Sequence, residues 1–266
     1  MSSQPHPWAL ILGSSSGFGE AAALELARSG MNIFGVHFDR RSAMPHVEEV
    51  KAAIAALGRE PVFFNINAAD EEKRKEVIAA IQTRCGDPAS PGTVRVLLHS
   101  IAFGSLLPYV ATQEKVASKA QLEMTCDTMA HTLVYWVQDL VSSGLMRTGG
   151  RVFAMTSSGG TRAIPQYGPV SGAKALLESH IRQLALELAP FGITANAIRA
   201  GVTDTPSLRK IPGSDKLVQY ATLRNPYGRL TTPQDVARCI AVLAHENTYW
   251  MTGNTLGVDG GEDIVG

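Results

Sequence analysis

Seven short apolar runs, each followed by an amphipathic stretch, constrain what this chain can fold into more than any other feature. They fall at 8–13, 31–38, 61–66, 94–100, 150–157, 192–198 and 254–259. Most are nearly continuous in Val, Ile, Leu, Phe and Ala rather than alternating with polar residues, the pattern of strands covered on both faces. Between them the spacing turns helical: within 20–30, Ala23, Leu24 and Ala27 share a face, and Gly30 stands where a helix would stop. Strand and helix alternate, so the crossovers must return each strand parallel to the last, and right-handed crossovers place helices on both sides of one sheet. The expected fold is an α/β, doubly wound parallel sheet of about seven strands in a single domain over 1–266. A hydrophobic content of 45% is enough to fill its core.

The stretch 204–231 breaks this rhythm with three prolines and two glycines after the sixth strand. An insertion there, at the carboxyl ends of the strands, is expected to act as a substrate lid. Lys plus Arg and Asp plus Glu both number 24, with no long run of either sign, so neither nucleic acid nor a membrane surface is an expected partner. The three cysteines, Cys85, Cys126 and Cys239, lie far apart and lack metal-site or dithiol spacing. No metal is expected, and the thiols suit a reducing cytoplasm. The first residues carry no charged region ahead of their short apolar run, which fits neither a signal peptide nor a membrane span.

The first strand runs into LGSSSGFGE (12–20), with glycines at 13, 17 and 19. Glycine lets backbone turn tightly and approach a pyrophosphate, which then sits against free N–H groups at a helix N-terminus. Directly after the first strand of a doubly wound pattern, this turn marks a Rossmann-type dinucleotide site made by Gly13, Ser15, Ser16, Gly17, Phe18 and Gly19. Its Gly-x-x-x-Gly-x-Gly spacing resembles the short-chain dehydrogenase/reductase family, over nearly the whole chain.

That resemblance implies further cofactor contacts. The position that meets the adenosine ribose falls on His37; Asp39 lies two residues later, while Arg40 and Arg41 could hold a 2′-phosphate. The two arginines favour NADPH, with NADH second; against NADPH, Ser16 stands where many NADP-preferring members carry a basic residue. The two arginines also suit a solvated helix start. Asn67 and Ala68 resemble the pair that touches adenine. LHSIAFG (98–104) has His99, Ser100 and Ile101 where most members read Asn-Asn-Ala, and His-Ser-Ile is typical of bacterial enoyl-acyl-carrier-protein reductases. His99 reads as a packed structural histidine, and Ser100 and Ile101 as cofactor contacts. NAIRAGVTDT (196–205) resembles the same group, implying that Gly201, Val202, Thr203 and Thr205 meet the nicotinamide side.

YGPVSGAK (167–174) places Tyr167 seven positions before Lys174. Ketone-reducing members separate these residues by four, which here falls on Val170, and carry a serine at the position of Ser157. Seven residues return to almost the same helix face about 4.5 Å further along the axis than four, although Pro169 suits a first helical turn and puts Tyr167 just before the helix. Reduction of an enoyl thioester delivers hydride to the β-carbon while charge grows on an oxygen three bonds away, so its hydrogen-bond donor must be displaced. The spacing coincides with the Tyr-x6-Lys signature of enoyl-acyl-carrier-protein reductases. Those enzymes also lack the catalytic asparagine of ketoreductases, and here that position falls on Met129. Ser157, where many of them have a second tyrosine, matches the NADPH-using type III variant.

The resemblance therefore implies a 2-enoyl thioester reductase in fatty acid biosynthesis, acting on substrate carried by acyl carrier protein or coenzyme A. Tyr167, Lys174 and Ser157 would be catalytic, with Lys174 also on the nicotinamide ribose. Phe103, Leu106, Leu208 and Ile211 would line an acyl channel, or equally serve the core. A homotetramer or homodimer is expected, with the apolar run 133–141 able to supply an interface, though core packing would also explain it. The rival readings are a carbonyl or 3-oxoacyl reductase and a catalytically silent NADPH-binding protein.

Overall fold

The computed structural model describes residues 6–85 and 93–265. Its sheet has seven parallel strands: β1 (Trp8–Leu12), β2 (Asn32–His37), β3 (Pro61–Asn65), β4 (Val94–His99), β5 (Arg151–Ser157), β6 (Thr194–Ala200) and β7 (Thr255–Val258). Their order is β3-β2-β1-β4-β5-β6-β7. The chain winds outward from β1 in one direction and from β4 in the other. The winding direction reverses between these two neighbours, the point at whose carboxyl edge doubly wound sheets form their ligand crevice.

The inner apolar runs are strands because both faces are covered, while β3 and β7 at the sheet's edges are half-buried. In β1, Leu10 and Leu12 point into a core shared with α3 (Glu71–Cys85), α5 (Thr132–Ser142) and α6 (Gly168–Leu188), where Ile81, Trp136 and Leu177 lie fully buried. Ala9 and Ile11 point the other way, onto α1 (Gly17–Arg28), α2 (Met44–Ala56) and α8 (Pro233–Leu243), through Leu26, Ile54 and Ile240. Removing the Ile11 side chain beyond Cβ would cost about 2–5 kcal/mol at such a site.

Local signals set the helix ends. The Gly30 φ of 96° terminates the segment after α1. At α8, Thr232 and Asp235 form a capping box with Pro233 in the first turn. α4 (Lys119–Cys126) joins α5 through one π-helical turn, Asp127–His131, which carries Met129 inward. The apolar run 133–141 is spent largely on the core: Leu133, Trp136, Val137 and Leu140 are buried. The stretch 204–231 contains a 3₁₀ turn, Leu208–Lys210, and helix α7 (Ser214–Arg224). Among the described residues no helix is long and apolar enough to cross a membrane.

Candidate active site

At the crevice, the glycine-rich turn is fixed by backbone. The Gly13 N–H donates to the Val36 carbonyl at 2.8 Å, and the Leu12 carbonyl accepts from the Ser100 N–H at 2.8 Å. A Cβ on Gly13 would stand 2.5 Å from the Ser100 carbonyl oxygen, and one on Gly19 would stand 1.9 Å from that of Gly13. Only glycine lets α1 start this close to β1. Ser16 precedes the helix in extended conformation and caps none of its N–H groups by side chain. The first-turn donors near Gly17, Phe18 and Gly19 therefore remain available to an anion. Ser15 is half-buried in the same turn and Ser16 exposed.

Beyond β2 the chain is braced from two sides. The Asp39 carboxylate lies 3.0 Å from His37 Nδ1, and Asn65 at the end of β3 accepts from the Asp39 N–H and donates to its carbonyl, both at 3.0 Å. Burial lowers the pKa of His37, against the raising effect of Asp39. Arg40 and Arg41 are exposed beside this brace, at the start of a short 3₁₀ turn. Asn67 accepts from the Ala69 N–H at 3.0 Å, and the Ala68 carbonyl takes the buried Trp136 indole N–H at 3.0 Å. These two residues thus sit on a turn that the core anchors.

His99 is fully buried, with Nε2 2.7 Å from Thr132 Oγ1. That hydroxyl donates to the Thr128 carbonyl at 2.8 Å, so His99 must supply the proton between them. Burial, and the charge of Lys174 nearby, push its pKa down to about 3. A neutral packing histidine, as the sequence suggests, is what the geometry contains. Ser100 and Ile101 are half-buried at the mouth of the crevice.

The turn after β5 packs against both Tyr167 and Lys174. Gly159 and Gly160 follow Ser157, whose hydroxyl accepts from the Gly159 N–H at 3.1 Å. A Cβ on Gly159 would stand 2.6 Å from the Tyr167 ring, and one on Gly160 would lie 3.5 Å from the Lys174 Cβ. Tyr167 is the residue immediately before α6, as Pro169 indicates, and Gln166 ahead of it has φ 61°, the one positive value at a non-glycine among the described residues. Holding Gln166 there costs about 1 kcal/mol. Tyr167 is only 8% exposed. Burial raises its pKa, with Ser157 acting in the opposite direction. The Lys174 ammonium donates to the Met155 carbonyl at 2.7 Å, and burial lowers its pKa to about 8 although Glu178 pulls it upward.

Around Tyr167 the lining is apolar: Met129, Val170 and Ala173 are buried against it, with Leu106, Ile164 and Ile211 at the margin. A Cβ on Gly104 would meet Met129 Sδ at 2.8 Å and Val170 Cγ2 at 3.0 Å. The two positions that carry polar groups in ketoreductases are thus closed together by hydrocarbon. Of the expected channel residues, Leu106 and Ile211 reach this cluster, while Phe103 is exposed and Leu208 half-buried outside it. After β6, Thr203 Oγ1 donates to the Gly201 carbonyl at 3.0 Å, and a Cβ on Gly17 would lie 3.5 Å from the Thr205 methyl, which brings this loop onto the glycine turn. Val202 is half-buried, its N–H held by a side chain from the end of the chain.

Sequence reasoning missed Gly104, Tyr109 and Gln166. A Cβ on Gly168 would meet the Tyr109 ring at 2.8 Å and one on Gly172 would lie 3.7 Å from its hydroxyl, so that ring packs on the start of α6. The only local signal was a pair of glycines, Gly168 and Gly172, on a helix face that otherwise had no reason to be bare. Among the described residues no group of three or more His, Cys, Asp or Glu side chains is placed to hold a metal.

Residues 13–262 match the family model described as enoyl-(acyl carrier protein) reductase. The chain is 29% identical over 258 residues to 1-cyclohexenylcarbonyl-CoA reductase of Streptomyces collinus, covering 96% of this chain and 86% of that one. It is 30% identical over 271 residues to a short-chain dehydrogenase/reductase of Pestalotiopsis microspora, covering 95% and 94%. Among solved structures, the enoyl-[acyl-carrier-protein] reductase (NADH) of Aquifex aeolicus VF5 superposes with a TM-score of 0.84 at 23% identity, over 99% of this chain and 98% of that one, a likeness of fold.

Proposed function

The chain belongs to the enoyl-(acyl carrier protein) reductase family of short-chain dehydrogenases/reductases, and on that premise we propose that it reduces the α,β double bond of a 2-enoyl thioester with NADPH. The single observation that carries the choice of bond is the closure of the ketoreductase positions by Val170 and Met129, with Tyr167 set one turn earlier.

The glycine turn, with backbone packed where any Cβ would stand and the first-turn donors of α1 uncapped, fits a dinucleotide pyrophosphate. Arg40 and Arg41 would take the 2′-phosphate of NADPH, Asn67 and Ala68 the adenine side, Ser100 and Ile101 the crevice wall, and Lys174 the nicotinamide ribose. The bound nicotinamide would supply the hydride to the β-carbon, and the α-carbon would then take a proton from water or an acid of the enzyme. The other work falls to this chain's own side chains. Tyr167, kept protonated by its raised pKa, donates to the thioester oxygen as negative charge develops there, in a site where hydrocarbon excludes water. Ser157 lies beside it and adjusts the phenol. Lys174, a cation at neutral pH, would add a favourable positive field for that charge.

Residues 204–231 would close over the acyl chain. The family description names acyl carrier protein and the Streptomyces relative's name a coenzyme A thioester, so both carriers belong in the assay. Assembly as a homodimer or homotetramer in the cytoplasm completes the reading.

Crotonyl and acetoacetyl thioesters, each on both carriers, are offered with NADPH or NADH to wild type and Tyr167→Phe, and loss of the reduced cofactor's absorbance is followed. Crotonyl turnover that falls about a hundredfold or more in Tyr167→Phe is expected, the usual cost of losing one donor to a developing oxyanion. Turnover of the acetoacetyl thioester alone would make the enzyme a ketoreductase.

A further inference from the structure

We infer that Glu262, near the end of the chain, is a positioning residue that fixes the nicotinamide-side loop 201–205 and, through the turn that carries it, links that loop to the base of segment 204–231. The inference rests on the cofactor reading above.

Glu262 is only 8% exposed, and its Oε2 accepts from the Val202 N–H at 3.0 Å. A carboxylate is rarely buried without a task, since desolvation must be offset by a partner. The loop is pressed closely onto it: a Cβ on Gly201 would stand 2.9 Å from Glu262 Oε2 and 2.4 Å from Thr231 Oγ1. Charge-assisted bonds from backbone N–H to carboxylate are short and directional. This one holds the Val202 peptide at one angle, and so settles which way the neighbouring groups of Val202 and Thr203 face.

The turn is itself stiff. Asp259 accepts from the Gly261 N–H at 2.9 Å and from the Asp263 N–H at 3.1 Å. From it, contacts run to two other parts of the site. The buried Asn225, at the end of α7, donates to the Asp259 carbonyl at 2.9 Å, and the Arg224 guanidinium donates to the Val265 carbonyl. Asp263 pairs with Arg162, on the segment leading to Tyr167, at 2.8 Å and with Arg199 of β6 at 3.2 Å. One turn therefore touches the cofactor loop, the lid base and the approach to the phenol. Ordering any one of them favours the others, which is a coupling free energy between cofactor and lid.

The test uses the full chain and two readouts: cofactor affinity by fluorescence titration with NADPH and NADH, and trypsin cleavage at the exposed Arg209, Lys210 and Lys216 with and without saturating cofactor. Wild type is expected to bind cofactor and to gain protection at these sites. Glu262→Ala should weaken binding about tenfold and lose the protection, while Glu262→Gln, which keeps an acceptor for the Val202 N–H, should stay within about threefold of wild type. Asn225→Ala should keep affinity within about threefold and lose the protection at saturation. A Glu262→Ala protein with an unchanged melting curve, wild-type affinity and wild-type protection overturns the inference, as does Glu262→Gln binding as weakly as Glu262→Ala. Should Glu262→Ala fail to fold, wild-type protection in Asn225→Ala overturns it instead. A wild-type protein that binds neither cofactor defeats the functional reading itself, a result separate from all of these.

Discussion

At the end of β1, backbone meets backbone. A Cβ on Gly19 would stand 1.9 Å from the Gly13 carbonyl oxygen, and neither partner can swing aside. Beside Tyr167, side chain meets side chain: a Cβ on Gly104 would touch Thr125, Met129 and Val170 at 2.7–3.0 Å, all of them at side-chain atoms. Both glycines mark close approaches at the same crevice, yet one region is rigid by covalent geometry and the other by packing. The difference matches the tasks proposed above. A pyrophosphate is the same in every nicotinamide cofactor and suits a fixed cradle, whereas acyl groups vary and suit a wall that can repack.

The sharpest way to break this contrast is to add one methyl at each glycine. Gly19→Ala should abolish cofactor binding and cost about 3 kcal/mol or more, because β1 and α1 must separate; titration and thermal melts would show it. A Gly19→Ala protein with normal affinity would mean that the cradle yields after all. On the side of the cradle proposed to read the cofactor, replacing both Arg40 and Arg41 with alanine should raise the NADPH KM about tenfold or more and change the NADH KM by about twofold at most. Equal effects on both would reduce the two arginines to a solvated helix start.

The packed region also predicts a pH response. Burial disfavours the Lys174 cation, so it is charged below its pKa of about 8 and neutral above. The Tyr167 phenol is pushed up and stays protonated over the same interval. kcat/KM should then fall about tenfold per pH unit once pH passes that value, and Lys174→Arg, which cannot lose its charge, should flatten whatever activity remains. A profile that stays level from pH 7 to well above 9 would remove Lys174 from the electrostatics. The smallest effect belongs to Gly104→Ala, about 1 kcal/mol in stability, with a changed preference for acyl size and unaltered cofactor affinity. A large loss of cofactor binding there would erase the distinction between the two regions.

Much of this was legible locally. Each apolar run became a strand within about two residues, since burial on both faces demands a continuous apolar run and little else. The glycine turn could be read because its three glycines sit within seven residues and their spacing follows from backbone geometry alone. Pro169 placed Tyr167 ahead of α6 for the same local reason. The lining of the phenol was harder. Met129 and Val170 could be seen to lack polar groups, but that Gly104 lets them close on each other depends on a loop whose path no short-range pattern sets. The run 133–141 was ambiguous as well, since hydrophobicity does not say whether a helix face meets its own core or another subunit.

The sequence by itself therefore determined the doubly wound sheet, the position of the glycine turn and the separation of Tyr167 from Lys174, all of which are properties of neighbouring residues. Only the tertiary structure decided that Glu262 reaches Val202 across 60 residues of chain, that Gln166 takes a left-handed backbone, and that Asp39 is braced by His37 and Asn65. The Val202–Glu262 and Asp39–Asn65 contacts arise because strand order juxtaposes loops distant in sequence, and local composition carries no trace of them.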